Sequence, residues 1–87
     1  MKIKEGFVKR KIDDEVIVVS VGGATKIFNG MMKLNPTGEV IWDMLEDGVD
    51  SQDEIVSALN EKYDGDIEKI KSDVSEFIDK IKDKGII

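Results

Sequence analysis

Two stretches of this 87-residue chain hold the side-chain types from which sites are built. Gly22-Gly23-Ala24-Thr25-Lys26 sets paired glycines ahead of a hydroxyl and an ammonium, the ingredients of a loop that cradles phosphate. It lacks the Walker spacing and the terminal Lys-[Ser/Thr] pair, and reads as a flexible connection. Glu46-Asp47-Gly48-Val49-Asp50-Ser51-Gln52-Asp53-Glu54 is dense in carboxylates, yet its oxygens and Gly48 are out of register with a calcium loop, and helix capping accounts for them. The chain has no Cys and no His, which removes disulfides, thiolate nucleophiles, Cys/His zinc sites and imidazole acid–base chemistry together. No Ser has a His partner, so the residues imply a protein that is not an enzyme, with no cofactor and no metal.

Gly48-Val49-Asp50-Ser51 resembles the Gly-x-Asp-Ser site at which acyl carrier proteins receive phosphopantetheine, again at a helix start in a small acidic protein. Gln52 departs from that pattern, where an apolar residue follows the Ser. A β-rich first third does not suit an all-helical carrier. Ser51 is expected to be a helix cap instead.

The elements that would position any site follow from the apolar pattern. Phe7 to Ile12 and Val16 to Val21 are β-branched runs separated by Asp13-Asp14-Glu15, an antiparallel hairpin whose second strand is apolar enough to be central or covered on both faces. Gly22 to Phe28 form a connection, and Asn29-Gly30 turns the chain into a short third strand, Met31-Met32-Lys33-Leu34. The only Pro and the only Trp then fall in one junction, Leu34 to Leu45. Asn35 can cap a helix that begins at Pro36, where a missing N–H does no harm. Gly38 in its first turn weakens the helix unless something must approach the backbone closely. This first helix runs to about Glu46, burying Val40, Ile41, Met44 and Leu45, with Trp42 expected in the core. The second opens with a Ser51/Glu54 capping box and buries Ile55, Ala58, Leu59 and Tyr63. The third starts near Asp66, sets Ile67, Ile70, Val74, Phe77 and Ile81 three or four apart with Ile78 beside them, and stops at Gly85.

The sum is one domain, 1–87, of the α+β class: a three-stranded antiparallel sheet followed by three helices, winged helix-turn-helix-like. No apolar run approaches a membrane span, and the start lacks a signal-peptide core, so a cytoplasmic, soluble protein with no membrane partner is expected. Net charge is −6, but residues 1–12 hold Lys2, Lys4, Lys9, Arg10 and Lys11 against Glu5, or +4, leaving −10 for the rest. That basic edge suits an acidic peptide or simply balances its own neighbours. A winged helix often binds DNA, which keeps a nucleic-acid-binding regulator as the alternative, with a carrier protein behind it. The third helix, however, interleaves five acids with five lysines and has no Arg, a poor match for phosphates, so no nucleic-acid partner is expected. A short third strand leaves an edge of unpaired backbone groups at which a peptide can add, and the third helix has a wide apolar face beside it.

The chain resembles the PqqD family, the small peptide chaperones also called RiPP recognition elements, from about Phe7 to Ile87. The pattern Leu-Asn-x-Thr-Gly-x-x-Ile-Trp-x-x-Leu is met by Leu34, Asn35, Thr37, Gly38, Ile41, Trp42 and Leu45; Glu54-Ile55, Leu59, Tyr63, Asp73, Phe77-Ile78, Ile81 and Gly85-Ile86 follow in order. The resemblance implies a non-catalytic chaperone that binds the leader of a ribosomally made precursor peptide by strand addition and presents it to a modifying enzyme, a radical SAM protein in the usual case. It further implies that the backbone of Met31, Met32, Lys33 and Leu34 supplies the ladder, and that Lys71, Val74, Phe77, Ile78 and Ile81 wall the cleft. The carrier alternative has a direct check: intact-mass spectrometry of the cellular protein is expected to show no phosphopantetheine adduct on Ser51.

Overall fold

The computed structural model describes residues 2–63 and 65–87. The strands are β1 (Phe7–Ile12), β2 (Glu15–Ser20) and β3 (Met31–Leu34), and the helices α1 (Pro36–Glu46), α2 (Gln52–Lys62) and α3 (Ile67–Asp83). The sheet is antiparallel in the order β1-β2-β3, so β2 is central, as its apolar run requires. The hairpin is one residue tighter than its sequence suggests. Ile12 pairs with Glu15 across a two-residue turn in which Asp13 takes a φ of 54°, a left-handed conformation that Asp tolerates. Val21 in turn leaves the strand, while its N–H still donates to the Gly6 carbonyl at 2.8 Å. The long connection to β3 holds a short 3-10 turn, Gly22–Lys26, that buries Ala24.

Register divides the sheet into two unlike faces. Phe7, Val18, Met32 and Leu34 point inward to a core completed by Ile41, Trp42 and Leu45 of α1, Ile55, Val56 and Leu59 of α2, Val74, Ile78 and Ile81 of α3, and Ile86. Trp42 is fully enclosed, and its indole N–H donates to the Glu46 carboxylate one turn on, so its polar atom is not stranded. All three helices start on side-chain caps. Asn35 accepts from the Gly38 N–H at 2.7 Å, Ser51 from the Glu54 N–H at 3.4 Å, and Asp66 from the Glu68 N–H at 3.0 Å.

Two helix faces differ from expectation. On α2 the buried residues are Ile55, Val56 and Leu59, Ala58 is half-buried, and Tyr63 is 37% exposed. Tyr63 sits past the last helical residue in an extended conformation, so its side chain no longer follows the helical stripe. On α3 the core line is Val74, Ile78 and Ile81, an i, i+4, i+7 row, while Ile70 and Phe77 are half-buried and Ile67 is exposed. The helix ends at Gly85, whose φ of 78° lets the Ile86 N–H reach back to the Ile81 carbonyl at 2.9 Å and turns Ile86 into the core. Among the described residues no helix is long and apolar enough to cross a membrane.

The basic first strand is partly spent inside the fold. Lys9 projects from the inner face and its ammonium donates to Asp43 at 2.6 Å and Glu39 at 2.9 Å, tying β1 to α1. The hydrogen bond to Asp43, then that to Glu39, raises the Lys9 pKa above the ordinary lysine value. Its contribution is therefore complete below the ordinary lysine range and is lost only as pH rises through the raised value. Both carboxylates are open to water, which holds the pair to about 1 kcal/mol. Lys9→Met is expected to lower the melting temperature by about 5 °C at neutral pH. The difference from wild type should shrink when melts are repeated at strongly alkaline pH.

Candidate functional site

β3 pairs with β2 along one side only, so its other edge carries backbone groups that no strand of the sheet takes up. Its side chains alternate: Met32 and Leu34 enter the core, whereas Met31 and Lys33 face solvent. The four residues are therefore held rigidly from one side while their free edge stays open. Lys33 donates to Glu15 at 3.1 Å across the outer face, a pair exposed at both ends.

At the Leu34–Asn35 end of β3 three adjoining depressions form a trough. One of about 380 Å³ runs along Asp14, Glu15, Val16, Lys33, Leu34 and Asn35. Asn35 is shared with a cleft of about 350 Å³ between the start of α1 and one side of α3, bordered by Thr37, Gly38, Ile41, Lys69, Asp73, Glu76, Phe77 and Lys80. Thr37, Lys69 and Asp73 are shared in turn with a smaller depression of about 180 Å³ that reaches Leu59, Tyr63 and Ile70. The cleft wall is polar above and apolar below. Phe77 and Ile41 supply its apolar lining, and along α3 two acids, Asp73 and Glu76, stand between two lysines, Lys69 and Lys80. Lys69 and Asp73 approach to 3.8 Å, one turn apart.

Gly38 makes this cleft possible. A Cβ there would lie 3.1 Å from Phe77 Cε2 and 3.1 Å from the capping Asn35 Oδ1, closer than side chains normally approach. The close approach that Gly38 implies in the sequence is thus the Phe77 ring. That ring leans on the first turn of α1 rather than entering the core. At the far end of α3 the Lys84 ammonium stands 4.7 Å from the centroid of Phe28, which fixes the loop before β3 against the helix.

The residues expected to wall the cleft are sorted by these facts. Phe77 lines it. Val74, Ile78 and Ile81 are sealed in the core, because helical spacing turns them one face away, and Lys71 is exposed but borders none of the three depressions. The periodicity of α3 alone misses Lys69, Asp73, Glu76 and Lys80, since a mixed-charge row has the same pattern as a solvated helix face.

An open strand edge and, past Asn35, a cleft lined by one aromatic ring mark this small α+β domain. The chain belongs to the PqqD family, described as coenzyme PQQ synthesis protein D, whose pattern matches residues 15–87. A solved structure, TbiB1 in complex with the TbiA(beta) leader peptide, is 29% identical, with a TM-score of 0.79 over 99% of this chain and 93% of that one. Comparison with curated proteins gives no match.

Replacing Gly38 tests the close approach. Gly38→Ala gains about 1 kcal/mol of helix propensity and loses a similar amount by displacing Phe77 and the cap, so its melting temperature should stay near wild type. Gly38→Val, with two further heavy atoms in the same space, should cost at least ~2 kcal/mol in urea unfolding.

Proposed function

We propose that this protein is a non-catalytic chaperone that binds the leader of a ribosomally synthesised precursor peptide and presents it to a modifying enzyme. The observation that carries the reading is the continuity between the free edge of β3 and the trough that passes Phe77. An extended peptide pairing with Met31, Met32, Lys33 and Leu34 would gain main-chain hydrogen bonds. Every second side chain would then face the cleft, with one apolar anchor on Phe77 and Ile41. The family supports the reading, and so does TbiB1, a relative captured with a leader peptide.

Charge favours a peptide over a phosphate backbone. The cleft presents Asp73 and Glu76 between Lys69 and Lys80, so a polyanion meets as much repulsion as attraction. A leader with its own mixed charges can place each sign against its opposite, which sets register along the trough more than it adds affinity. The enzyme served is, on the family resemblance, a radical SAM protein.

The experiment is a titration of ¹⁵N-labelled protein with a synthetic leader from the precursor encoded nearby. Amides of Met31 to Leu34 and of the trough are expected to shift, and the affinity should change little between 50 and 300 mM salt. Phe77→Ala should weaken binding by about tenfold or more while costing only about 2 kcal/mol of stability, since the ring is half-buried. Lys71→Ala should leave both unchanged. Absence of shifts with the leader, together with salt-sensitive shifts on duplex DNA, would move the assignment to a winged-helix nucleic-acid binder.

A further inference from the structure

The helices cover one face of the sheet, and the other has no layer over it. Register places Val8, Arg10 and Ile12 of β1, Glu15, Ile17 and Val19 of β2, and Met31 and Lys33 of β3 on that outer face. Ile12 is 57% exposed and Met31 66%, while Val8 and Val19 are half-buried. Ile17 is only 4% exposed although it stands outside the core. Its cross-strand neighbours on either side are Arg10 and Lys33, residues with alkyl stems long enough to cover it. The result is an apolar strip that crosses all three strands, larger than scattered surface hydrophobes would make.

The charges around the strip select what fits over it. Lys9 is neutralised by Glu39 and Asp43, and Lys33 by Glu15. Arg10, on the outer face, and Lys11, on the inner face with Lys9, make no ion pair among the described residues. They are unspent cations in a chain whose net charge is −6. A second copy joined edge to edge along β1 would align Lys9, Arg10 and Lys11 with their equivalents, a repulsive arrangement of the kind that guards edge strands. A second copy offering its acidic helices instead would make a head-to-tail contact that does not close on itself. The fitting partner is a different protein with an apolar centre and carboxylates at its rim. Arg10 and Ile12 lie on β1, the edge of the sheet opposite β3, while Glu15 and Lys33 border both this face and the trough.

We propose that this outer face, from Met31 across Ile17 to Arg10, docks the enzyme that acts on the bound peptide, through an apolar patch rimmed by carboxylates. The proposal rests on the peptide-chaperone reading above. Leader and enzyme would then be held at once, one at the β3 edge and one across the uncovered face.

The test uses the 87-residue chain, the synthetic leader and the purified modifying enzyme encoded beside the same precursor. Leader binding is measured first, without enzyme; its absence in wild type overturns the chaperone reading itself. Enzyme binding is then measured for wild type, Arg10→Glu and Ile12→Thr, the last keeping a β-branched residue at an exposed position. Each variant is expected to bind enzyme at least tenfold more weakly, with leader affinity within twofold of wild type and an unchanged melt. Arg10→Glu should also flatten the salt dependence. Equal enzyme affinity in all three proteins, or no enzyme binding by wild type, overturns the docking surface. So does a wild-type dimer that both variants dissociate, because a second copy would then own the face.

Discussion

The core has room for one layer of side chains between a sheet and three helices, and most of the architecture descends from that limit. A domain of 87 residues buries a small fraction of its surface compared with larger ones, so it cannot cover both faces of a sheet. Here the covered face is closed around Trp42, the largest enclosed side chain, whose N–H finds Glu46 within its own helix. That local bond matters because it frees the sheet from supplying a polar partner to the core. The outer face and the β3 edge are then what a single core leaves over.

Much of this was legible in the residues, and what was not has identifiable causes. The α+β class, the third strand, the Asn35 and Ser51 caps and the start of α3 near Asp66 follow from β-branched runs and capping residues, because these signals are local and the structure uses them locally. The hairpin turn shortened by a residue because Asp13 accepts a left-handed φ that its sequence does not announce. Tyr63 left the α2 stripe because the helix ended one residue sooner than the apolar spacing continued. On α3 the choice between Phe77 and Ile78 is a rotation of about 100°, smaller than periodicity over seventeen residues can resolve when both are apolar. Gly38 held the missing information, since a first-turn glycine says that something bulky lies against it; only the fold says that it is Phe77.

The electrostatics show a similar division between local and tertiary information. Counting charges along the sequence finds the basic first strand but cannot divide it. The fold does so by strand alternation, sending Lys9 inward to two carboxylates on α1 and leaving Arg10 outward. One residue of register thus separates a cation that holds the domain together from a cation available to its surroundings.

The return of the chain past Gly85 has a geometric outcome for how this domain can be combined with others. The Lys4 N–H donates to the Ile86 carbonyl at 2.8 Å, so the first and last described segments are stitched side by side. They meet at the end of the sheet that holds Phe7, Ser20 and Met31, while the trough starts at the opposite end, from Leu34 and Asn35. A polypeptide fused at either terminus would leave from the same place and pass clear of the trough. Tethered that way to a catalytic domain, the module would raise the effective concentration of its cargo without a single new contact, and a short flexible linker would be enough.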